Sequence, residues 1–459
     1  MISAISTSTR RCLSERSVSR GVLALGVWVV SAVVLALPAP RVPAQEIDFE
    51  LESEAGATTI EDTKLRTETT ATTTLSWILS PDQDIEVSGS YGYRYDELTT
   101  DDGGELVPGL DRARFMGRYP LSTSRGGVFE IAAGRYGFAD TTEQVVDTPA
   151  DGLSLGLIGP TTTVRLQAGY TGLLLRESTA VRVTAADAAD EENHLGPAHL
   201  LGRLEVAFPE VLSRQSIVLD VTGHLDTPEL ATSDFDGRED AARGLYSSLT
   251  LTGPLSRRVF YTLYGIGRAG EYYADKDLDE ATYSLLAVAA GGSLRGYSRR
   301  LAKSRGELSV FYAGGEDGFR RFSPGQDGTT ASFAPITPSE PVRLAPLTPS
   351  NLLTARAAYS VQPIDLGAGP REGLRTEVSV AAAYRPFSGS GTIVGLAADT
   401  ESGYVGTEIG TTVEIRPFSD LIFRLEGDTF FPTDLVRNGG VVAEADPQTR
   451  FSAAAELSF

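Results

Sequence analysis

The sequence has a single cysteine, Cys12, among 459 residues, and only three histidines, His194, His199 and His224. One cysteine forms no disulfide within the chain and supplies no cysteine metal site. We find no Gly-x-Ser-x-Gly motif. A hydrolase needs a nucleophile, a base and an orienting partner, and three histidines provide few candidates for the base. The sequence therefore predicts a protein that is not an enzyme and that uses no metal or cofactor.

Basic residues are also scarce relative to acidic ones. The chain carries 40 lysines and arginines against 61 aspartates and glutamates, a net charge of −21. Binding of nucleic acid requires clustered positive charge that neutralises phosphates. The charge balance therefore excludes nucleic acid as a predicted partner.

Long apolar runs are limited to one, "GVLALGVWVVSAVVLAL", which has 17 residues. Arg10, Arg11, Arg16 and Arg20 precede it, and the small-residue sequence "VPA" follows it, as in a secretory signal peptide. The alternative is a membrane anchor, but 17 residues are fewer than the ~20 that a spanning helix needs. We expect cleavage after Ala44, so residues 1–44 are the predicted leader. The remaining 415 residues then carry a net charge of −25.

The rest of the chain is dominated by alternation of apolar and polar residues with a period of two. Near the end of the chain, Leu421, Phe423 and Leu425 alternate with Arg424 and Glu426. The last nine residues, "FSAAAELSF", have the same two faces. Alternation of this kind predicts strands that separate an apolar surface from a polar one. We find no convincing stretch with the 3.6-residue period of a helix.

About eighteen strands are predicted, with sixteen as the alternative count, from segments of the length that crosses a membrane at a tilt. The predicted strands are 46–54, 63–79, 83–96, 109–119, 126–137, 151–158, 162–175, 198–208, 215–226, 243–252, 257–270, 280–297, 305–314, 351–362, 372–385, 403–416, 419–431 and 448–459.

Short and long connections alternate between these strands. Tight turns such as "SPDQ", "GPT" and "GPLSR" alternate with long acidic loops such as "DAADEEN" and "DFDGRED". Short turns at one end and long loops at the other are typical of outer-membrane barrels. The predicted fold is all-β, a transmembrane antiparallel up-and-down β-barrel, in which residues 45–459 form one domain with a long loop at 314–350.

The terminal strand resembles the terminal signal of Gram-negative outer-membrane barrels through Phe451, Leu457 and Phe459. The resemblance implies a porin-like barrel in the outer membrane, in contact with its lipid. It also implies that the barrel-insertion machinery recognises the C-terminal strand.

A narrower resemblance lies between residues 134 and 155. Gly134, Arg135, Asp151 and Gly152 match the "GRQ…DG" region of porins and alginate-export barrels, which are eighteen-stranded. The glutamine of that pattern is Tyr136 here. The match covers about two strands of the chain.

Arginines occupy the polar faces of many predicted strands. The candidate pore-lining residues are Arg112, Arg114, Arg118, Arg165, Arg203, Arg356, Arg375 and Arg424. Planar guanidinium groups suit anionic and sugar-like solutes. The alternative is that these arginines only pair with acidic residues on neighbouring strands. Arg320 and Arg321 are the candidates for a constriction formed by the long loop, which could equally extend outside.

The predicted function is passive or facilitated passage of small hydrophilic solutes, either anionic or sugar-like, through the lumen. One alternative is a non-conducting surface barrel whose acidic outer loops bind a partner or cations. A second alternative is a soluble, secreted β-rich protein. A barrel of ~16–18 strands leaves an aqueous channel unless something fills it, so the strand count favours the channel.

Overall fold

The computed structural model describes most of the strands and parts of the connections between them. The described residues are 44–59, 63–80, 82–96, 105–121, 126–176, 179, 181, 183, 195–211, 214–227, 241–273, 282–298, 303–315, 329–330, 333–337, 351–365, 373–386, 404–418, 420–432 and 447–458. All of them except Ala44 belong to one compact unit, Gln45–Phe459. The described part contains no helix with the length and hydropathy of a membrane span.

The described residues form nineteen β-strands. The first ten are β1 Ala44–Thr59, β2 Thr63–Ser80, β3 Gln83–Asp96, β4 Glu105–Pro120, β5 Val128–Ala139, β6 Asp147–Ile158, β7 Thr163–Tyr170, β8 His199–Val211, β9 Gln215–Asp226 and β10 Ala241–Ser256. The remaining nine are β11 Val259–Tyr273, β12 Thr282–Ser298, β13 Ser304–Ala313, β14 Thr329–Thr330, β15 Leu352–Asp365, β16 Gly373–Tyr384, β17 Tyr404–Phe418, β18 Leu421–Pro432 and β19 Gln448–Ser458.

The described strands pair in chain order, and from β2 onward the neighbours are antiparallel. The two-residue strand β14 is the exception, because it pairs in parallel with β12 while β13 pairs directly with β15. The last strand, β19, pairs with β1 from Glu50 opposite Ser458 to Thr59 opposite Thr449, and β1 also pairs with β2. The ladder of described strands therefore returns to its first strand, and its order confirms the predicted all-β, up-and-down antiparallel fold. Phe459 lies outside the described residues.

The two faces of the strands differ as the alternation predicts. On β9, Leu219 and Val221 are exposed, whereas Asp220 and Thr222, which alternate with them, are buried. On β19, Phe451 is exposed and Ser452 is buried. Exposed apolar side chains recur at outward positions of β6 to β13 and of β15 to β19, so this part of the outer wall is apolar. An apolar outer wall lets strands lie in lipid.

Parts of three long connections fold onto the inner face of the wall. Residues 140–146 follow β5, residues 171–176 with Val181 and Val183 follow β7, and residues 333–337 lie between β14 and β15. Phe138, Val145, Val181, Phe333 and Ile336 share one buried apolar cluster with inward side chains of β8 and β10–β13. These connections therefore reduce the space inside one end of the barrel.

Candidate functional site

The lumen has two halves that differ in what lines them. The short-turn half is the inner wall next to the tight connections at Asp82, Arg214, Arg257–Arg258, Lys303 and Asp420. The loop half is the inner wall next to the long connections, where the apolar cluster lies. Because neighbouring strands run in opposite directions, each strand contributes residues to both halves.

Clusters of one carboxylate and two arginines recur around the short-turn half. The four clusters are Glu86 with Arg112 and Arg114, Glu130 with Arg118 and Arg165, Glu307 with Arg295 and Arg305, and Glu377 with Arg356 and Arg375. Arg424 and Glu414 form a further pair at 3.7 Å. These clusters span β3 to β18, so guanidinium groups face the lumen from several sides.

Within each cluster the carboxylate is recessed and at least one arginine is exposed. Glu86 accepts hydrogen bonds from Arg112 at 3.0 Å and from Arg114 at 2.8 Å. The Glu86 side chain is 13 % exposed, whereas that of Arg112 is 55 % exposed. Glu307 and Arg295 show the same contrast, with exposures of 12 % and 46 %. The exposed surface of these four clusters is therefore richer in guanidinium than in carboxylate.

Strand register explains how these clusters assemble. Arg118 and Glu130 are direct neighbours on β4 and β5, and Arg118 donates a hydrogen bond to Glu130 at 3.2 Å. Glu130 and Arg165 flank Gly156 of β6, which has no side chain between them. Arg165 therefore reaches Glu130 on one side and Glu205 on the other, each at 3.8 Å.

Arg203 has a different environment because a connection covers it. Its guanidinium donates hydrogen bonds to Asp220 at 2.8 Å, to the Gln167 side chain at 3.0 Å and to the Thr141 hydroxyl at 2.9 Å, and it also pairs with Glu205. Asp220 in turn accepts hydrogen bonds from the Thr141 backbone N–H and hydroxyl. Arg203 and Asp220 are both buried, so they hold the β5–β6 connection against the wall at the boundary between the two halves.

The β5–β6 connection is organised by Asp140. One carboxylate oxygen of Asp140 accepts hydrogen bonds from the backbone N–H groups of Val145 and Val146, both at 2.9 Å. The other oxygen accepts from the Thr142 N–H and hydroxyl. A short polar side chain that bonds to its own following backbone is a common way to fix a turn. The turn therefore presents Thr141 to Asp220 and places Val145 and Val146 in the apolar cluster.

Residues 333–337 also pack inside the loop half, against the β5–β6 connection. The N–H groups of Ile336 and Thr337 donate to the Val145 carbonyl at 2.8 and 3.2 Å, which joins the two connections. Tyr246 of β10 donates a hydrogen bond to the Ala334 carbonyl at 2.6 Å, and its ring contacts Phe333 edge-on. Buried aromatic and aliphatic side chains therefore fill much of this half.

All eight predicted pore-lining arginines lie on inward-facing positions of the wall. Seven of them belong to the ion pairs of the short-turn half, and Arg203 lies under the β5–β6 connection. Arg320 and Arg321, the predicted constriction residues, lie outside the described residues. The sequence reasoning omitted Arg295 and Arg305, although their alternation with the apolar residues of "SLRGY" and "SRGELSVF" placed them on the inner face.

The four residues of the "GR…DG" resemblance come together on β5 and β6. Gly134 and Gly152 are direct neighbours, as are Arg135 and Asp151. Arg135 donates two hydrogen bonds to Asp151, at 2.9 and 2.7 Å. Gly134 has φ of 110°, and a side chain there would collide with the Ala113 carbonyl. These contacts give each of the four residues a structural role. The resemblance to alginate-export barrels itself remains a prediction.

No protein-family model matches the chain, and no curated protein matches it. Solved structures from Pseudomonas aeruginosa are similar in fold. OccK2 (OpdF) has a TM-score of 0.55 at 12 % identity, over 91 % of this chain and 99 % of its own. OccK8 (OprE) has a TM-score of 0.54 at 10 % identity, over 92 % and 99 %. OccK5 (OpdH) has a TM-score of 0.51 at 11 % identity, over 92 % and 100 %.

These three structures are outer-membrane porins. The similarity extends over almost the whole length of each of them, and at this level of identity it establishes the fold. The chain therefore has the fold of an outer-membrane porin, which confirms the barrel predicted from the alternation of its sequence.

Proposed function

We propose that the chain is a channel in the outer membrane of a Gram-negative-type bacterium and conducts small hydrophilic solutes, with a preference for anionic ones. The coarser part of the proposal, a porin-like channel, is supported by the fold shared with the outer-membrane porins. The apolar outer wall supports its location in lipid. The paired C-terminal strand β19 is the element that the insertion machinery would recognise.

The observation that carries the preference for anions is the recurring cluster of two arginines on one recessed carboxylate. The clusters at Glu86, Glu307 and Glu377 each carry one net positive charge, and their exposed members are Arg112, Arg295 and Arg375. In the Glu130 cluster the exposed member is Arg118, and Arg165 is shared with Glu205. The negative net charge of the chain therefore does not indicate the charge that a solute meets inside the lumen.

Guanidinium groups in these clusters suit carboxylates, phosphates and sugar hydroxyls. Each guanidinium presents several N–H donors in a plane, and two of them match the two oxygens of a carboxylate. The recessed carboxylate fixes the arginine by using only some of these donors. The remaining donors face the lumen, and they form a polar track along which a solute exchanges hydrogen bonds with water.

A second candidate function, a non-conducting surface barrel, is favoured by the packing of the loop half. Phe138, Val145, Phe333 and Ile336 are all buried there, and hydrogen bonds join the β5–β6 connection to residues 333–337. If these connections close the lumen, the acidic outer loops are the remaining candidates for binding a partner or cations. Arg320 and Arg321 remain the predicted residues of the constriction.

The test is single-channel recording of the mature chain, residues 45–459, refolded into planar bilayers. The variant carries Arg112→Gln, Arg118→Gln and Arg375→Gln, which remove three exposed positive charges from the short-turn half. The control is Arg243→Gln, because Arg243 is 53 % exposed and paired with Glu271, as Arg118 is with Glu130, but it lies on an outward-facing position.

We expect steady conductance from the wild-type chain and an anion preference that falls in the triple variant but not in the control. Conductance with equal selectivity in all three proteins would remove the role assigned to the arginines. Absence of conductance from a chain shown to be inserted would overturn the channel and favour the surface barrel.

A further inference from the structure

The described part of the outer wall contains a groove between neighbouring strands. The groove has a volume of about 490 Å³ and lies where β11, β12, β13, β15 and β16 run side by side. Its lining is mostly apolar or aromatic, with outward-facing side chains such as Leu308, Tyr359 and Val378. Glu307 also contributes to the lining, and its carboxylate pairs with Arg295 and Arg305 of the inner face.

Two glycines create the groove. Gly296 of β12 and Gly306 of β13 are direct neighbours in the ladder, with Val259 on one side and Tyr359 on the other. A Cβ atom added at either glycine would meet no described atom within 4 Å, so the space above both is open. A pair of glycines between larger side chains therefore leaves a hollow in the wall.

Basic residues lie at the end of the groove. Arg257 and Arg258 form the turn immediately before Val259, and both are exposed. The N–H of Tyr297 donates to the Arg258 carbonyl at 2.9 Å, which fixes this turn beside the end of β12. Lys303 is exposed in the next turn, three residues before Gly306.

We infer that this groove is a binding site for an anionic glycerophospholipid of the leaflet at the short-turn end. One acyl chain lies in the hollow over Gly296 and Gly306, and the phosphate of the headgroup contacts Arg257 and Arg258. Charge complementarity supports the choice of lipid, because positive side chains near a membrane surface attract anionic headgroups. The inference rests on the proposed location in the outer membrane and is independent of conduction.

The test measures which lipid contacts the groove, by quenching of a tryptophan with brominated lipids. The reporter is Val310→Trp. Val310 is exposed and is the next outward-facing residue of β13 after Leu308, which lines the groove. Trp77 is replaced by phenylalanine, because it is the only tryptophan after the predicted leader. The matched reporter is Val221→Trp on β9, which also faces outward. Val221 is six residues after the first residue of β9, and Val310 is six residues after the first residue of β13.

Refolded protein is placed in vesicles that contain brominated phosphatidylglycerol or brominated phosphatidylcholine. We expect the affinity for phosphatidylglycerol relative to phosphatidylcholine to be at least about fivefold higher at Val310→Trp than at Val221→Trp. A fivefold difference is the contribution expected from one arginine near a membrane surface. The preference should be lost with Arg257→Ser and Arg258→Ser, and it should persist with Arg214→Ser, which removes an exposed arginine from another short turn.

Filling the groove provides a second, independent variant. Gly296→Leu with Gly306→Leu should also remove the preference, whereas Gly202→Leu with Gly265→Leu should not. Gly202 and Gly265 are suitable controls because they also face outward with open space around an added Cβ. The controls therefore separate loss of the groove from a general effect of two leucines on the wall.

Three results would overturn the inference. Equal preference at the two reporters would mean that the basic turns act on the whole surface and that no site exists at the groove. A preference that survives the leucine variants would place the lipid elsewhere. Failure of both lipids to quench Val310→Trp, while Val221→Trp is quenched, would assign the groove to a second copy of the chain.

Failure of the proposed channel function would give results that differ from failure of the lipid site. An inserted chain that shows the lipid preference without conductance would contradict only the channel. A folded chain that no lipid quenches at either reporter would contradict the location in lipid itself.

Discussion

The two halves of the lumen are made by the same strands but stabilised by different interactions. In the short-turn half, Glu86 and Glu307 each hold two arginines, and these ion pairs are partly exposed to solvent. In the loop half, Phe333 and Val145 are buried among connections that fold onto the wall. The comparison shows how one barrel can combine a polar track with a packed restriction.

The interactions in the two halves also differ in their energetic consequences. Partly exposed ion pairs contribute little to stability, typically below ~1 kcal/mol each, because water screens them. Buried pairs and packed aromatic groups cost several kcal/mol when one member is removed. Substitutions in the loop half should therefore act mainly on stability and on the size of the opening, and those in the short-turn half on charge selectivity.

The largest expected effect is that of Asp220→Ala. This change removes the acceptor for Thr141 and one acceptor of the buried Arg203 guanidinium. We expect the free energy of unfolding in lipid vesicles to fall by about 3–5 kcal/mol. Release of the β5–β6 connection should also raise single-channel conductance. A large loss of stability with unchanged conductance would mean that this connection does not restrict the lumen.

A smaller effect is expected from Tyr246→Phe, which removes the hydroxyl that donates to the Ala334 carbonyl. Loss of one buried hydrogen bond should lower the free energy of unfolding by about 1–3 kcal/mol. Tyr359→Phe is the matched control, because Tyr359 is outward-facing and 49 % exposed. Equal effects of the two substitutions, measured by urea unfolding, would argue against anchoring of residues 333–337 at Tyr246.

Glu307→Gln tests the short-turn half alone. The substitution leaves Arg295 and Arg305 without their shared carboxylate, which increases the positive charge that faces the lumen. We expect a stronger anion preference in reversal-potential measurements, with a stability change of at most about 1 kcal/mol. A weaker anion preference would show that solutes do not sense these arginines.

The smallest effect is expected from Glu271→Gln. Glu271 pairs with Arg243 on outward-facing positions, and both side chains are substantially exposed. The free energy of unfolding should change by less than about 0.5 kcal/mol, and the selectivity should not change. An altered selectivity would mean that charge outside the lumen controls the current, which would weaken the distinction between the two halves.

The strands were predictable from the sequence because each one separates lipid-facing from lumen-facing residues. The period of two in β9 and β18 is a direct consequence of that separation. Inward-facing arginines followed from the same alternation, and Arg295 and Arg305 could have been found by it as well. Pairing was not predictable, because it depends on register: Arg165 reaches Glu130 only because Gly156 lies between them.

The restriction of the loop half was only partly predictable. The length of the 314–350 loop suggested a function, but the role of the β5–β6 connection was not recognised. Its contacts come from distant parts of the chain, since Asp147 donates its N–H to the side chain of Thr337, 190 residues later. Burial of a polar connection depends on such tertiary partners, and no local pattern in the sequence encodes them.

The most direct test of the central claim is the reversal potential of the wild-type channel under a salt gradient. The sequence after the predicted leader carries a net charge of −25, whereas the described short-turn half presents arginines held by recessed carboxylates. If those arginines line the route of permeation, the reversal potential will have the sign of anion selectivity. A reversal potential with the sign of cation selectivity would contradict the account, because solutes would then follow the acidic residues instead.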